Sequence, residues 1–97
     1  MRLKLDVEAS SNAIKDGSLP KIMQSMMEKL KPEASYFFPM DGHRTCLMVF
    51  DMKDASEIPS IVEPFLESLK AQVDLIPVMN AEDMVKGLEA YAKSKNK

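Results

Sequence analysis

The sequence predicts an α+β fold in which helices cover one face of a four-stranded antiparallel sheet. Asp41 and Gly42 separate two apolar runs, and this pattern is among the strongest short-range signals of a β-hairpin. Residues 19–30 and 58–69, on either side of that hairpin, repeat the apolar spacing of an amphipathic helix. Short segments that alternate apolar and polar residues lie near both ends of the chain, so one further strand is expected on each side.

The first strand is expected at residues 3–8, where apolar and charged side chains alternate. Residues 12–16 are expected to form at most a short helical turn, because Gly17 interrupts them. A helix then begins at Ser18 and ends before Pro32, which cannot continue it. Its apolar positions follow the spacing i, i+3, i+4, i+7: Leu19, Ile22, Met23, Met26, Met27 and Leu30.

The hairpin determines which side chains share a face. With a two-residue turn, Met40 lies opposite His43 and Tyr36 opposite Leu47. One face carries Tyr36, Phe38, Thr45, Leu47 and Val49. The other carries Ser35, Phe37, Pro39, Arg44, Cys46, Met48 and Phe50. Both faces are largely apolar, so we expect the face away from the helices to be covered as well.

The second half of the chain repeats the first. A second helix has apolar residues at Ile58, Ile61, Val62, Phe65, Leu66 and Leu69. Pro64 removes an interior hydrogen bond, which predicts a kink there or a helix that restarts at a capping box between Ser60 and Glu63. Residues 73–78 are expected to form the last strand, with Pro77 marking an edge or a strand end. Asn80 caps a third helix.

The resulting order, β-α-β-β-α-β-α, predicts a ferredoxin-like fold with an additional C-terminal helix, formed by residues 1–97 as a single domain. Right-handed crossovers give the strand order 4-1-3-2. Helices would cover one face of this sheet and leave an apolar face open. We therefore expect a homodimer in which a second copy packs against that sheet face.

The composition of the chain limits the classes of partner that the protein is expected to bind. The net charge of −2, without a stripe of basic residues and aromatics, disfavours nucleic acid. No apolar run approaches the roughly 20 residues of a membrane helix, and the alternating N-terminus is unlike a signal peptide. The single cysteine, Cys46, cannot form an internal disulfide, so a cytoplasmic location is expected.

The sequence has few residues that could bind a metal ion or a cofactor, and neither is expected. One histidine and one cysteine, His43 and Cys46, are too few for a zinc or copper site and point to opposite faces of their strand. The same geometry disfavours a nucleophilic pair and favours Cys46 as a small buried hydrophobe. The three glycines are too far apart to form a phosphate-binding loop.

Charged residues facing the interior between two sheets are the best candidates for a site. If Leu3, Leu5 and Val7 face the helices, then the other side carries Lys4, Asp6 and Glu8, together with Arg44 of the neighbouring strand. A structural ion pair of Asp6 with Arg44, or of Lys4 with Asp6 through a water, is one interpretation. In the other, Arg44 binds an anionic or carbonyl group of a small ligand and Asp6 acts as base or orienter. Tyr36 or His43 would then donate a hydrogen bond at the mouth.

Several segments carry a family resemblance: residues 31–37 (KPEASYF), 42–45 (GHRT), 63–64 (EP), 77–79 (PVM) and 82–83 (ED). On these the chain resembles the dimeric α/β-barrel superfamily, and most closely a group of small uncharacterised bacterial domains. The superfamily includes haem-degrading and antibiotic-biosynthesis monooxygenases and muconolactone isomerases. Its haem enzymes use an Asn, a Trp and a His in the pocket. This chain has no Trp, and its one His lies beside a turn, so haem chemistry is not implied.

Two functional hypotheses follow. The first is a small-molecule-binding or assembly domain, because no catalytic constellation can be named. The alternative, implied by the resemblance, is a cofactor-free isomerase or monooxygenase that acts on a small aromatic or polyketide-like substrate in the barrel cavity. The residue pattern leaves open whether the protein is an enzyme.

Overall fold

A computed structural model describes residues 1–95, and its elements form an α+β fold. In chain order they are β1 (Arg2–Lys4), α1 (Val7–Lys15), α2 (Ser18–Leu30), β2 (Ala34–Met40), β3 (His43–Val49), a 3-10 turn (Ala55–Glu57), α3 (Ile58–Leu69), β4 (Gln72–Asp74) and α4 (Ala81–Lys95). The four strands make one open antiparallel sheet, consistent with a ferredoxin-like fold. None of the helices in these residues has the length and apolar character needed to cross a bilayer.

The sheet order is β2-β3-β1-β4, so the predicted order 4-1-3-2 is confirmed. The hairpin register is confirmed too: pairing runs without a bulge from Met40 opposite His43 to Ala34 opposite Val49. Asp41 (φ 54°) and Gly42 (φ 76°) both occupy the left-handed region. A type I′ turn requires this at its two central positions, and its twist matches that of the flanking strands.

The segment after β1 differs from the prediction. β1 ends at Lys4, and Asp6 is the N-cap of α1, where its carboxylate accepts a hydrogen bond from the Ala9 amide at 2.9 Å. Residues 7–15 are helical, so both the strand expected to residue 8 and the short turn expected at 12–16 were wrong. The cap satisfies an otherwise unpaired amide and sets the helix start earlier than alternation alone indicated. Gly17, at φ 81°, then lets the chain turn directly into α2.

α3 begins at Ile58 and runs through its proline to Leu69. The capping box lies between Asp54 and Glu57, and the predicted restart between Ser60 and Glu63 was wrong. Pro64 cannot donate to the Ser60 carbonyl one turn earlier. The Lys29 ammonium, from α2, donates to that carbonyl instead at 3.1 Å.

β4 is shorter than predicted, because only residues 72–74 pair with β1. Residues 75–78 alternate like a strand but have no pairing partner within the described part of the chain, and Pro77 lacks an amide to donate. They continue instead as a connection to α4 that is exposed from Ile76 onward.

The core lies between one face of the sheet and helices α1 to α3. Its buried apolar side chains are Leu3, Leu5, Ala13, Met26, Cys46, Met48, Ile61, Phe65, Leu69 and Ala71. α4 takes no part in it, since every residue from 76 to 95 is exposed. The molecule is accordingly elongated, with principal extents of 60 × 28 × 19 Å.

Candidate functional site

An apolar cavity of about 360 Å³ lies between α2 and the β2–β3 hairpin. We call it the hairpin cavity, and its lining residues are Leu3, Leu5, Leu19, Met23, Phe37, Phe38, Pro39, Arg44, Thr45 and Cys46. All of these except Arg44 and Thr45 are apolar. The cavity lies on the helix-covered side of the sheet, so its lining comes from a single chain.

Arg44 is the one charged residue that lines the hairpin cavity. Its Nη1 donates to Ser10 Oγ at 2.8 Å, to Ser11 Oγ at 3.0 Å and to the Val7 carbonyl at 3.4 Å. These bonds tie β3 to the first turns of α1, and Ser10 is fully buried beneath them. Arg44 forms no salt bridge with any residue from 1 to 95. Its positive charge is therefore held in place without a neutralising carboxylate.

The predicted pairing of Asp6 with Arg44 was wrong. Strand register places Leu3 opposite Cys46 and Lys4 opposite Thr45, so Lys4 and Arg44 lie on opposite faces of the sheet. Asp6 lies outside the sheet as the cap of α1. The hairpin determined its own register, but it could not determine the register of β1 against β3.

The structure brings three of the four predicted site residues near one segment. Asp6 caps α1, Arg44 binds its first turns, and His43 Nδ1 lies 2.9 Å from the Leu5 carbonyl. Tyr36 lies apart from them, opposite Leu47 on the face away from the helices, with 62% of its surface exposed. A ligand-binding role for these four residues stays a prediction.

Cys46 lies in the cavity wall as a neutral thiol. Burial raises its pKa to about 11, so the nucleophilic thiolate is scarce at neutral pH. Register alternation places Cys46 and His43 on opposite faces, as predicted. Among residues 1–95 no three His, Cys, Asp or Glu side chains are grouped so that they could hold a metal ion.

Sequence reasoning missed the two serines that hold Arg44. Neither Ser10 nor Ser11 was identified as a site residue, and both follow the cap, Asp6, on α1. The available signal was the Asp6–Glu8 segment followed by small residues, which fits a helix start as well as a strand. A cavity on the helix-covered side was not predicted for the binding hypothesis.

Comparison with known proteins identifies the family. A family model described as Domain of unknown function (DUF3303) matches residues 6–92, which include α1, the hairpin and the Arg44 cluster. No curated protein and no solved structure matches the chain. Because the family model covers most of the sequence, the chain belongs to the DUF3303 family of domains of unknown function.

Proposed function

We propose that this protein is a small-molecule-binding domain. Its ligand would place an apolar body in the hairpin cavity and an anionic or carbonyl group against Arg44. The observation that carries the proposal is an apolar cavity lined in part by Arg44, an exposed residue whose guanidinium forms no salt bridge within residues 1–95.

The cavity and its charge supply different parts of the binding free energy. A volume of about 360 Å³ lies within the usual range of ligand pockets, and its apolar wall favours a hydrophobic body. The hydrogen bonds of Arg44 within the described chain all use Nη1, so Nε and Nη2 remain to bind an oxygen pair. Arginine suits such groups, because its planar fork donates two parallel hydrogen bonds.

Two dyes with nearly the same apolar body test this proposal. Anilinonaphthalene sulfonate carries an anionic group, and N-phenylnaphthylamine has the same rings without it. Fluorescence titration should give a lower Kd for the sulfonate with the native chain. Arg44→Gln should reduce the ratio of the two Kd values about tenfold, because charge-assisted hydrogen bonds contribute roughly 1.5–3 kcal/mol when fully formed.

Lys15→Gln is the control, since it removes the same charge at an exposed position in the last turn of α1 that lines neither concave surface. It should leave the preference unchanged. The proposal is wrong if Arg44→Gln only lowers the melting temperature while the sulfonate preference persists, because Arg44 would then serve α1 alone. Equal losses in the two variants would indicate a general charge effect and would also overturn it.

We further infer that the partner of this domain is a second copy of the chain, bound through the open sheet face. This face is the side of the sheet away from the helices, and it carries Arg2, Lys4, Tyr36, Phe38, Thr45, Leu47, Val49, Gln72 and Asp74. Its β2–β3 half exposes Tyr36, Phe38 and Leu47. Its other half carries the Arg2–Asp74 ion pair at 2.8 Å. An apolar patch bordered by ion pairs is typical of a protein interface.

The alternative, a cofactor-free isomerase or monooxygenase, stays a prediction. No observation favours it over binding, because the groups around Arg44 are two hydroxyls and a carbonyl, and Cys46 is held as a neutral thiol.

A further inference from the structure

α4 presents an apolar stripe that contacts nothing in its own core. At about 100° per residue, Met84, Val85, Leu88 and Tyr91 fall on one side of the helix. Between 47% and 59% of each of these side chains is exposed. Glu89 borders the stripe, and Lys95 extends it with its ammonium 5.2 Å from the centre of the Tyr91 ring.

A helix of this kind needs a surface to pack against. α4 has 15 residues, and isolated helices of that length are marginal in water. Gly87, in its middle, weakens it relative to alanine. Packing of the stripe would supply the missing stabilisation.

A second concave surface, here called the edge groove, lies where β3 ends beside the connection to α4. Its volume is about 650 Å³, and it is lined by residues 47–52 and 75–78 together with Met1, Arg2 and Ile58. Most of these are apolar, and several remain exposed, including Leu47, Met52, Ile58, Ile76 and Val78. α4 begins at Ala81, just beyond this lining, and none of its residues lines the groove.

We infer that each α4 packs, through its apolar stripe, in the edge groove of a second copy of the chain. This inference rests on the proposed dimer and specifies how its two copies hold each other. A twofold axis makes the contact reciprocal, so each copy gives one helix and receives one. An amphipathic helix in an apolar groove is a recurrent mode of recognition.

Three features favour a second copy over another partner. The stripe and the groove are both unpartnered and belong to one chain, so two copies satisfy both surfaces at once. Arg2 and Leu47 belong to the edge groove and also to the open sheet face, so the two contacts would be continuous. The charges are complementary as well. Asp51 of the groove and Lys95 beside the stripe are opposite in sign, and neither forms a salt bridge within residues 1–95, whereas Arg2 is already paired with Asp74.

A mixed sample of isotope-labelled and unlabelled full-length chain tests the contact directly. Isotope-filtered NOEs should connect the methyls of Leu88 in one chain with those of Ile58 or Ile76 in the other. Hydrogen exchange of residues 81–95 should be slowed at least about 100-fold relative to an unstructured peptide, because docking restricts fraying.

Leu88→Glu should raise the dimer Kd at least about tenfold, since it replaces a buried leucine with a carboxylate. Ala90→Glu, on the opposite side of the same helix, adds the same charge and should change the Kd less than about twofold. Gly87→Ala should lower the Kd by stabilising the helix before it docks.

The outcomes separate this inference from the proposed dimer. A dimer with unprotected α4 amides and no NOEs between chains would overturn the exchange of helices while the sheet contact stands. NOEs from α4 to its own chain alone would overturn it as well. A monomeric chain at all concentrations would remove both proposals together.

Discussion

Cys46 illustrates how one buried residue sets both reactivity and pH dependence. Its side chain is 3% exposed and lies opposite Leu3 in the centre of the core. Burial disfavours the charged thiolate, which raises the pKa from the ordinary 9.0 to about 11. The folded state therefore holds its proton more tightly than the unfolded chain does. The resulting stabilisation is complete below about pH 9 and is lost as the pH rises toward 11.

We expect Cys46→Ala to flatten the decline of stability in this alkaline range. The variant should be less stable at neutral pH, by about 1 kcal/mol, because it loses a buried atom. Urea unfolding at about pH 7 and about pH 10 measures both effects. An equal alkaline decline in the two proteins would contradict the assignment, since they differ only at residue 46. Iodoacetamide should modify the native thiol only after urea is added.

At the residue scale, the sequence predicted structure best where a conformation depends only on neighbouring residues. Asp41 and Gly42 determined the turn, and the turn determined the register of every hairpin pair. Asp6 could not be assigned in the same way, because alternation of charge fits a strand and an N-cap equally well. Its role depends on where β1 stops pairing, and that is a long-range property of the sheet.

At the element scale, α3 shows how one helix compensates for a proline in another. The Ser60 carbonyl would accept the amide of residue 64, which proline lacks. Lys29, at the end of α2, reaches across and donates to it. The contact lets α3 run from Ile58 to Leu69 without interruption and joins the two helices.

Pro64→Ala should raise the free energy of unfolding by about 1–2 kcal/mol, because alanine restores the bond within the helix and favours it intrinsically. In the native chain, Lys29→Met should lower the free energy of unfolding by up to about 1 kcal/mol. In the Pro64→Ala background the same substitution should lower it by less. A double-mutant cycle by urea unfolding gives the coupling. Additive effects would show that Lys29 and Pro64 act independently. Lys21→Met, on the same helix, is a control expected to have no effect in either background.

The elements themselves were predictable where the apolar spacing is long and regular. The stripes of α2 and α3 and the helical character of α4 were all foreseen, because each extends over several turns. α1 was missed since its nine residues bury only Ser10 and Ala13, too few to make a clear stripe. β4 was predicted too long, because alternation continues beyond the last residue that has a partner strand.

At the scale of the whole molecule, the proposed dimer predicts the solution mass. Light scattering on a sizing column, over a dilution series, should give twice the chain mass of 10.9 kDa at low micromolar concentration. Tyr36→Glu should shift the mass toward the monomer, because it places a carboxylate in the centre of the apolar half of the open sheet face. Leu66→Glu adds the same charge on the outer side of α3 and should leave the mass unchanged. A monomer in the native chain, or equal effects of the two variants, would refute the sheet interface.

Topology was the most predictable property at this scale, and the hairpin cavity was the least. Strand order follows from a few rules of connection, and these need only the order of elements. The cavity depends on how far α2 lies from β2, and therefore on packing between Leu19, Met23 and Phe37 that no local pattern encodes. The position of α4 away from the core could not be read from its amphipathic spacing, which indicates that a stripe will be buried but not by which chain.

Pro39 affects how readily the sheets of separate molecules can join edge to edge in concentrated solution. In a two-residue hairpin the residues flanking the turn bond to each other, so the backbone nitrogens of Pro39, Phe37 and Ser35 point outward from β2. Proline leaves a gap in this outer row of donors, and the opposite edge, β4, offers only three residues. An incoming strand would therefore find an interrupted row of donors on β2 and a short row on β4, so we expect the sheet not to extend into ribbons or fibrils. Concentrated solutions should stay clear, with assembly ending at a closed particle.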